Sequence, residues 1–364
     1  MTARLFIAST PMIALACAGA ALAHPGRSRL LLIEDFDLAG RLQDLLEGWR
    51  DNPFEAIMRL PGRHTEHVMG ARDGGSGVRH FLHRLRVKRA LRRQTLTEIE
   101  KIDASLRPDE VWLGNDRKPE TQLALHRASQ RARQPVGRYL DDGLYSYLGD
   151  VRQRPLVRRI DAFVKRLGYG RWWQRADHAG TTSWIREAWL VFIDEETPYP
   201  PHLRRALPRH WYDGRPICRL GLQAARAFGL DRRALSKVGL VLVLPHSNQL
   251  RANHGLLQRL RDRVRDECGR GRQVAVKYHP REIDPDPAGL LRDGTVRALP
   301  TLLPLELILP LLPPGVALLG EGSTALLAAR WLRPDLAVAD LGFSQDGYAA
   351  RARELFARHG IHRE

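Results

Sequence analysis

The chain has 364 residues, 43% hydrophobic and 27% charged, which is enough apolar material for two domain cores and excludes a disordered chain. The formal net charge of +17 suits nucleic acid, an anionic membrane or an acidic substrate equally. Because 52 Arg stand against 6 Lys, a skew that GC-rich coding alone produces, charge selects none of them. Cys17, Cys218 and Cys268 lack the number and spacing of a disulfide framework or a zinc site, which fits a reducing compartment.

Residues 1–23 admit two readings. Arg4, the apolar stretch Met12 to Leu22 and Ala21-Leu22-Ala23 have the shape of a cleaved secretory signal. Alternatively, Arg4 to Ser9 is a buried strand, Thr10-Pro11 an N-cap with proline at the first helical position, and Met12 to Leu22 a helix closed by Pro25-Gly26. Arg29 to Ile33 (RLLLI) follows as another strand, so the second reading, an opening βαβ unit, is preferred. Alternation then continues with a helix over Leu38 to Trp49 and a strand at Phe54 to Leu60. The basic run Arg79 to Arg93 carries Phe81, Leu82, Leu85 and Leu91 near helical spacing. It reads as a solvated helix face or a surface for anionic acceptors or lipid headgroups. Strands at Glu110 to Leu113 and Pro135 to Leu140 flank a helix over Pro119 to Arg133. From Tyr145 to Arg219 the pattern is least clear, with a helix near Leu156 to Leu167, a strand at Trp189 to Ile193 and proline-rich turns over Thr197 to Pro208. A second block runs from the strand Gly239 to Pro245 through the helix Gly255 to Cys268 and the strand Gln273 to Tyr278. Val316 to Leu319, the helix Ala325 to Leu332, the strand Leu336 to Ala339 and a helix over Tyr348 to His359 complete it. The pattern predicts an α/β chain of two Rossmann-like, doubly wound domains, residues 1–235 and 236–364, facing each other across a cleft. No stretch reaches the ~20 apolar residues of a membrane span.

Open parallel sheets bind ligands beyond the carboxyl ends of their strands, and three such places carry reactive groups. Asp141-Asp142-Gly143 ends the first block's strand PVGRYL, and a carboxylate there can take a proton from a sugar hydroxyl; an acidic pair beside glycine is also an ordinary turn. Lys277-Tyr278-His279-Pro280-Arg281-Glu282 ends QVAVKY. Pro280 stops the ladder and holds His279 extended, near cations, where an imidazole can serve a phosphate leaving group. Gly320-Glu321-Gly322-Ser323-Thr324 joins a strand to a helix, so N–H groups, hydroxyls and the positive end of the helix dipole form a phosphate site; Ser323 is equally an ordinary N-cap.

The ordered set resembles the bacterial sialyltransferases of the GT-B type, including the lipooligosaccharide sialyltransferases and capsule polysialyltransferases, which share acidic-acidic-Gly, His-Pro and Ser/Thr motifs. The stretch Ile99 to Gln122, whose strand ends in Gly114-Asn115, resembles the family too, whereas nothing between Tyr145 and Arg219 does. The resemblance implies a GT-B fold, with a residue 1–235 domain on the acceptor side and a residue 236–364 domain binding the CMP-sugar. It implies inverting, metal-independent transfer of sialic acid or a related nonulosonic acid from its CMP ester, without a cofactor, to an acceptor glycan hydroxyl. Asp141 would be the base and His279 would act on the CMP phosphate. Ser323 and Thr324 would bind that phosphate, with Asp142, Gly143, Pro280 and Gly322 shaping the site. Lys277, Arg281 and Asn115 are available for the donor carboxylate. The acceptor would be an acidic or lipid-linked glycan of capsule or lipopolysaccharide, and the enzyme cytoplasmic with peripheral association to the inner membrane. The rivals are a GT-B enzyme using CMP-Kdo or a nucleoside-diphosphate sugar, a basic nucleic-acid-binding protein, for which no interleaved aromatic and basic motif exists, and a secreted noncatalytic binding protein.

Overall fold

In a computed structural model the apolar runs become the strands of two separate parallel sheets. It describes residues 1–36, 39–71, 78–149, 155–251, 254–280, 282, 284–292, 294–342 and 347–364, and of residues 71, 78, 155–161 and 254 the backbone alone.

The first unit, Met1–Trp211, contains β1 (Ala3–Ala8), α1 (Pro11–Ala23), β2 (Arg27–Glu34), α2 (Ala39–Glu47), β3 (Ala56–Pro61), α3 (Arg63–Ala71) and α4 (Val78–Leu106). It continues with β4 (Glu110–Leu113), α5 (Pro119–Ala132), β5 (Gly137–Leu140), α6 (Leu144–Leu148), α7 (Pro155–Tyr169), β6 (Ile185–Leu190) and β7 (Arg204–Ala206). The strand order is β3-β2-β1-β4-β5-β6-β7, with every pairing parallel. All six residues of β1 are buried, as a central strand covered on both faces requires. Thr10 caps α1, its Oγ1 accepting from Ile13 N at 3.3 Å, and every residue from Ile13 to Ala21 is buried. A helix apolar all round belongs inside a core. Residues 1–23 therefore supply the middle of the sheet and the helix packed on it, in agreement with the βαβ reading.

α8 (His210–Asp213) spans the division between units. The second unit, Tyr212–Glu364, holds α9 (Arg215–Ala227), α10 (Arg232–Leu235), β8 (Val238–Val243), α11 (Ser247–Arg251), α12 (His254–Gly269), β9 (Gln273–Lys277) and β10 (Val296–Leu299). Then come α13 (Leu305–Ile308), β11 (Ala317–Gly320), α14 (Thr324–Leu332), β12 (Ala337–Asp340), α15 (Gly347–Arg358) and β13 (His362–Arg363). Its sheet, β10-β9-β8-β11-β12-β13, is also parallel throughout. The units divide at Trp211/Tyr212 and not near residue 235, because α9 packs on α13: a Cβ on Gly221 would lie 3.2 Å from the Leu307 carbonyl oxygen. In each sheet the winding reverses beside the first strand, at β1/β4 and at β8/β11, and those carboxyl ends are where an α/β sheet opens for ligands.

Candidate functional site

At the carboxyl edge of the first sheet, Asp141 follows β5 and is 2% exposed. Its Oδ1 accepts from Gly143 N at 2.8 Å and Ser146 Oγ at 2.7 Å. Its Oδ2 accepts from Val191 N at 2.9 Å and from the Tyr147 hydroxyl. Ser146 gives its only proton to Asp141, so the contact of 2.8 Å with Tyr139 has the tyrosine as donor, and Ser146 Oγ also receives Asp142 N at 2.9 Å. Gly143 is at φ +69°, where a side chain would be strained, and this lets its N–H turn back onto Asp141. Burial pushes the Asp141 carboxyl up, and the donors from Tyr147, Val191, Ser146 and Gly143 oppose it. All four of these bonds hold the turn, so both oxygens of the residue expected as the base are already engaged.

Asp142 is half-buried, and its carboxylate accepts no hydrogen bond from any described residue. Burial, then the charge of adjacent Asp141, pushes it up to about 7 against the pull of Lys118. A carboxylate that is open and titrates near neutrality has the properties of a general base.

Lys118 pairs with Asp35 beyond the end of β2, and both line a cavity of about 110 Å³ with Glu66, Arg92, Glu120 and Lys165. Asn115 builds the same loop, its Oδ1 accepting from Arg117 N at 3.0 Å. Asp116, fully buried, ties this loop to the chain before β6 by accepting from Gly180 N at 2.7 Å and Thr182 N at 2.8 Å. The sequence reading missed Lys118, Asp35 and Asp116, which follow β4 and β2 and were open to the same strand-end rule.

At the carboxyl edge of the second sheet, β8 lies between β9 and β11, so the loops carrying His279 and Ser323 flank the loop carrying His246. Two strand spacings separate the outer loops, roughly 10 Å. The rings of His246 and His279 meet edge to face at 5.7 Å between centroids. Glu282 joins their loops: its N donates to the His279 carbonyl at 2.9 Å and its Oε2 accepts from Ser247 N at 2.8 Å. His246 was not read from sequence, although it immediately follows the predicted strand end at Pro245 and stands three residues beyond the end of β8. Pro280 forms the exposed turn after His279.

Ser323 is the N-cap of α14, extended at φ −101° and ψ 136°, with Oγ accepting from Ala325 N at 3.2 Å. Thr324 opens the helix. Gly322 N donates to Asp340 Oδ1 at 2.8 Å, fixing the loop to the end of β12, and nothing lies within 4 Å of where a Gly322 Cβ would stand. The loop before the helix is thus fixed at both ends, with open space beside Gly322. Lys277 departs from expectation: it is 5% exposed, Nζ donates to the Thr301 carbonyl at 2.6 Å, and burial pushes it down to about 8 despite nearby Glu306. Its ammonium is engaged in the interior. Arg281 lies outside the described residues. Among the described residues no group of three or more His, Cys, Asp or Glu can hold a metal ion.

These two units form a GT-B fold. Over 99% of this chain and 98% of the other, it is similar to an α/β-galactoside α-2,3-sialyltransferase from Photobacterium phosphoreum, with a TM-score of 0.55 and 8% identity. A 2,6-sialyltransferase from Photobacterium sp. JT-ISH-224, solved with CMP and lactose, aligns with 99% of this chain and 76% of its own, at a TM-score of 0.55 and 11% identity. A UDP-N-acetylglucosamine 2-epimerase fold from Listeria monocytogenes also matches, over 100% and 84% of the respective chains, at 0.51 and 10%. No protein-family model and no curated protein matches the sequence.

Proposed function

We propose that the chain is an inverting glycosyltransferase that moves sialic acid or a related nonulosonic acid from its CMP ester to a glycan hydroxyl. The observation that carries the reading is Asp142, a carboxylate at a strand end that no described donor satisfies and whose proton affinity sits near neutrality. In this reading the first unit supplies the base, Asp142, with Asp141 positioning it through Ser146. The second unit holds the donor phosphate at the start of α14 through Ser323 and Thr324, and His279, beside His246, neutralises it as it leaves. A base acting on the acceptor in a single displacement inverts the anomeric centre. The anomeric carbon of a CMP-linked keto sugar is already activated, so deprotonation of the acceptor and neutralisation of a monoester phosphate suffice without a cofactor. The sugar rests on the motif resemblance and on a fold shared with sialyltransferases.

The deciding measurement is nucleotide release from a panel of CMP-, UDP- and GDP-sugars, read by mass spectrometry. CMP from CMP-sialic acid is expected. UDP from UDP-N-acetylglucosamine alone would move the chain toward the chemistry of the 2-epimerases that share its fold. EDTA is expected to leave the rate within about twofold, the change that ~0.4 kcal/mol produces. The double change Ser323→Ala/Thr324→Ala is expected to weaken CMP about tenfold or more, the loss of one or two hydrogen bonds to a charged group. Unchanged CMP affinity by calorimetry would remove the phosphate from this helix.

A further inference from the structure

We propose that the face built by α3, α4 and α7 of the first unit is a docking surface for an anionic lipid bilayer. The large apolar side chains exposed on this unit are concentrated there. Phe81, Leu82 and Leu85 stand out from α4, Phe163, Val164 and Leu167 from α7, with Phe81 61%, Phe163 66% and Leu167 72% exposed. On both helices the spacing is i, i+1, i+4, which places the three on one side of a turn. Val68 and Met69 of α3 add to them. The three helices are neighbours: Arg92 of α4 contacts Glu66 of α3 at 3.0 Å and the hydroxyl of Tyr169 on α7. From Arg79 to Ala90 no residue of α4 is buried, whereas Leu91, Thr95, Ile99, Ile102 and Leu106 further along are. The second half of the helix therefore belongs to the core, and the first half has no core of its own.

The charge around this patch selects its occupant. Between Val78 and Leu96 there is no acidic residue, and Arg79, Arg84, Arg86, Lys88, Arg89 and Arg93 are all exposed. Apolar side chains interleaved with exposed cations match the headgroup–acyl boundary, where the former enter the top ~5–10 Å of the bilayer and the latter meet phosphates. A second copy of the chain would bring the same cations against each other under two-fold symmetry. Nucleic acid would engage the cations and leave the phenylalanines in water. No helix among the described residues is long and apolar enough to cross a membrane, so the surface lies on the bilayer.

The test is sedimentation of the full chain with vesicles of phosphatidylglycerol and phosphatidylethanolamine in equal parts, against vesicles of phosphatidylcholine alone. Binding to the anionic vesicles only, falling as salt rises, is expected. Phe81→Ser/Leu85→Ser and Phe163→Ser/Leu167→Ser are each expected to weaken it about a hundredfold with the melting temperature unchanged, from the apolar area lost. Arg86→Glu/Arg89→Glu is expected to weaken it about twentyfold or more. Failure to bind either vesicle, equal binding to both, or undiminished binding by the serine variants overturns the proposal. A wild-type dimer that becomes monomeric in the serine variants, with no vesicle binding, assigns the face to a second copy instead. Vesicle binding requires no nucleotide sugar, so this result and that of the donor panel stand apart.

Discussion

Asp142→Asn is expected to lower the transfer rate by about a hundredfold to ten-thousandfold, the usual loss when a positioned general base is removed. In the wild type, the rate should climb with pH to a plateau above about 7, because only the deprotonated carboxylate accepts the acceptor's proton. Asn should abolish that limb. Stability should move the other way. The Asp142 carboxyl is raised from 3.8 to about 7, so between those values the folded chain keeps a proton that the unfolded chain has released. Folding stability thus falls as pH rises through that window, and the deficit is complete above it. At pH about 8 Asn removes the deficit, worth on the order of 1 kcal/mol once solvent screening of a half-buried group is allowed for. Asp141→Asn should behave differently. An amide NH₂ would face donors now satisfied by the carboxylate, leaving Val191 N, Gly143 N or their hydroxyl partners unpaired, at about 3 kcal/mol. Initial rates across pH and melting curves for both variants decide the matter. Wild-type turnover in Asp142→Asn, with turnover lost and melting unchanged in Asp141→Asn, would return the base to Asp141.

The difference between these neighbours explains how far sequence reasoning reached. Asp141-Asp142-Gly143 at a strand end was legible because the strand pattern and the glycine are local. Which acid faces out depends on Val191, Ser146 and Tyr147, and Val191 lies fifty positions away beyond β6. That strand was itself displaced in the sequence reading, to Trp189–Ile193 from the observed Ile185–Leu190. Its first half carries Arg186 and Glu187, and Glu187 pairs with Arg138 on β5, so apolar density alone pointed too far along the chain. Conversely, α9 was missed although Ile217, Leu220, Gly221, Ala224 and Ala225 repeat at i, i+3, i+4, i+7 and i+8, a complete buried stripe. Proline-rich turns before it drew attention from a periodicity that was present. Strands β7, β10 and β13 are two to four residues long, too short for any alternation to register. Lys277 shows the opposite failure: its charge and strand-end position were visible, but its partners Thr301 and Glu306 follow a stretch with no readable pattern.

Gly19→Ala is expected to destabilise the first unit strongly. Gly19 sits in the buried stretch of α1 against Trp211, and a Cβ there would lie 2.4 Å from both Trp211 Cβ and Trp211 O, and 2.6 Å from its Cα. Two of these three atoms are backbone, so no rotamer change clears them. Trp211 cannot retreat easily either. It is 2% exposed and packed against Trp189, Trp112 and His24, at ring distances of 5.0, 5.9 and 5.9 Å. Nor can α1 move outward, since it is buried along its length and covers β1, the strand on which both wings of the sheet are hydrogen-bonded. The methyl therefore forces helix and aromatic cluster apart, a strain of about 3 kcal/mol or more, set against the ~1 kcal/mol by which Ala normally favours a helix interior over Gly. For a unit of this size that is a fall in melting temperature on the order of 6–12 °C. Gly269→Ala, where nothing lies within 4 Å of the new Cβ, is the matched control and should change stability by less than about 0.5 kcal/mol. Because the strain lands on Trp211, near-ultraviolet circular dichroism should lose tryptophan signal in Gly19→Ala alone. Equal melting temperatures for the two variants, with that signal intact, would mean that α1 and Trp211 do not pack as closely as this geometry requires.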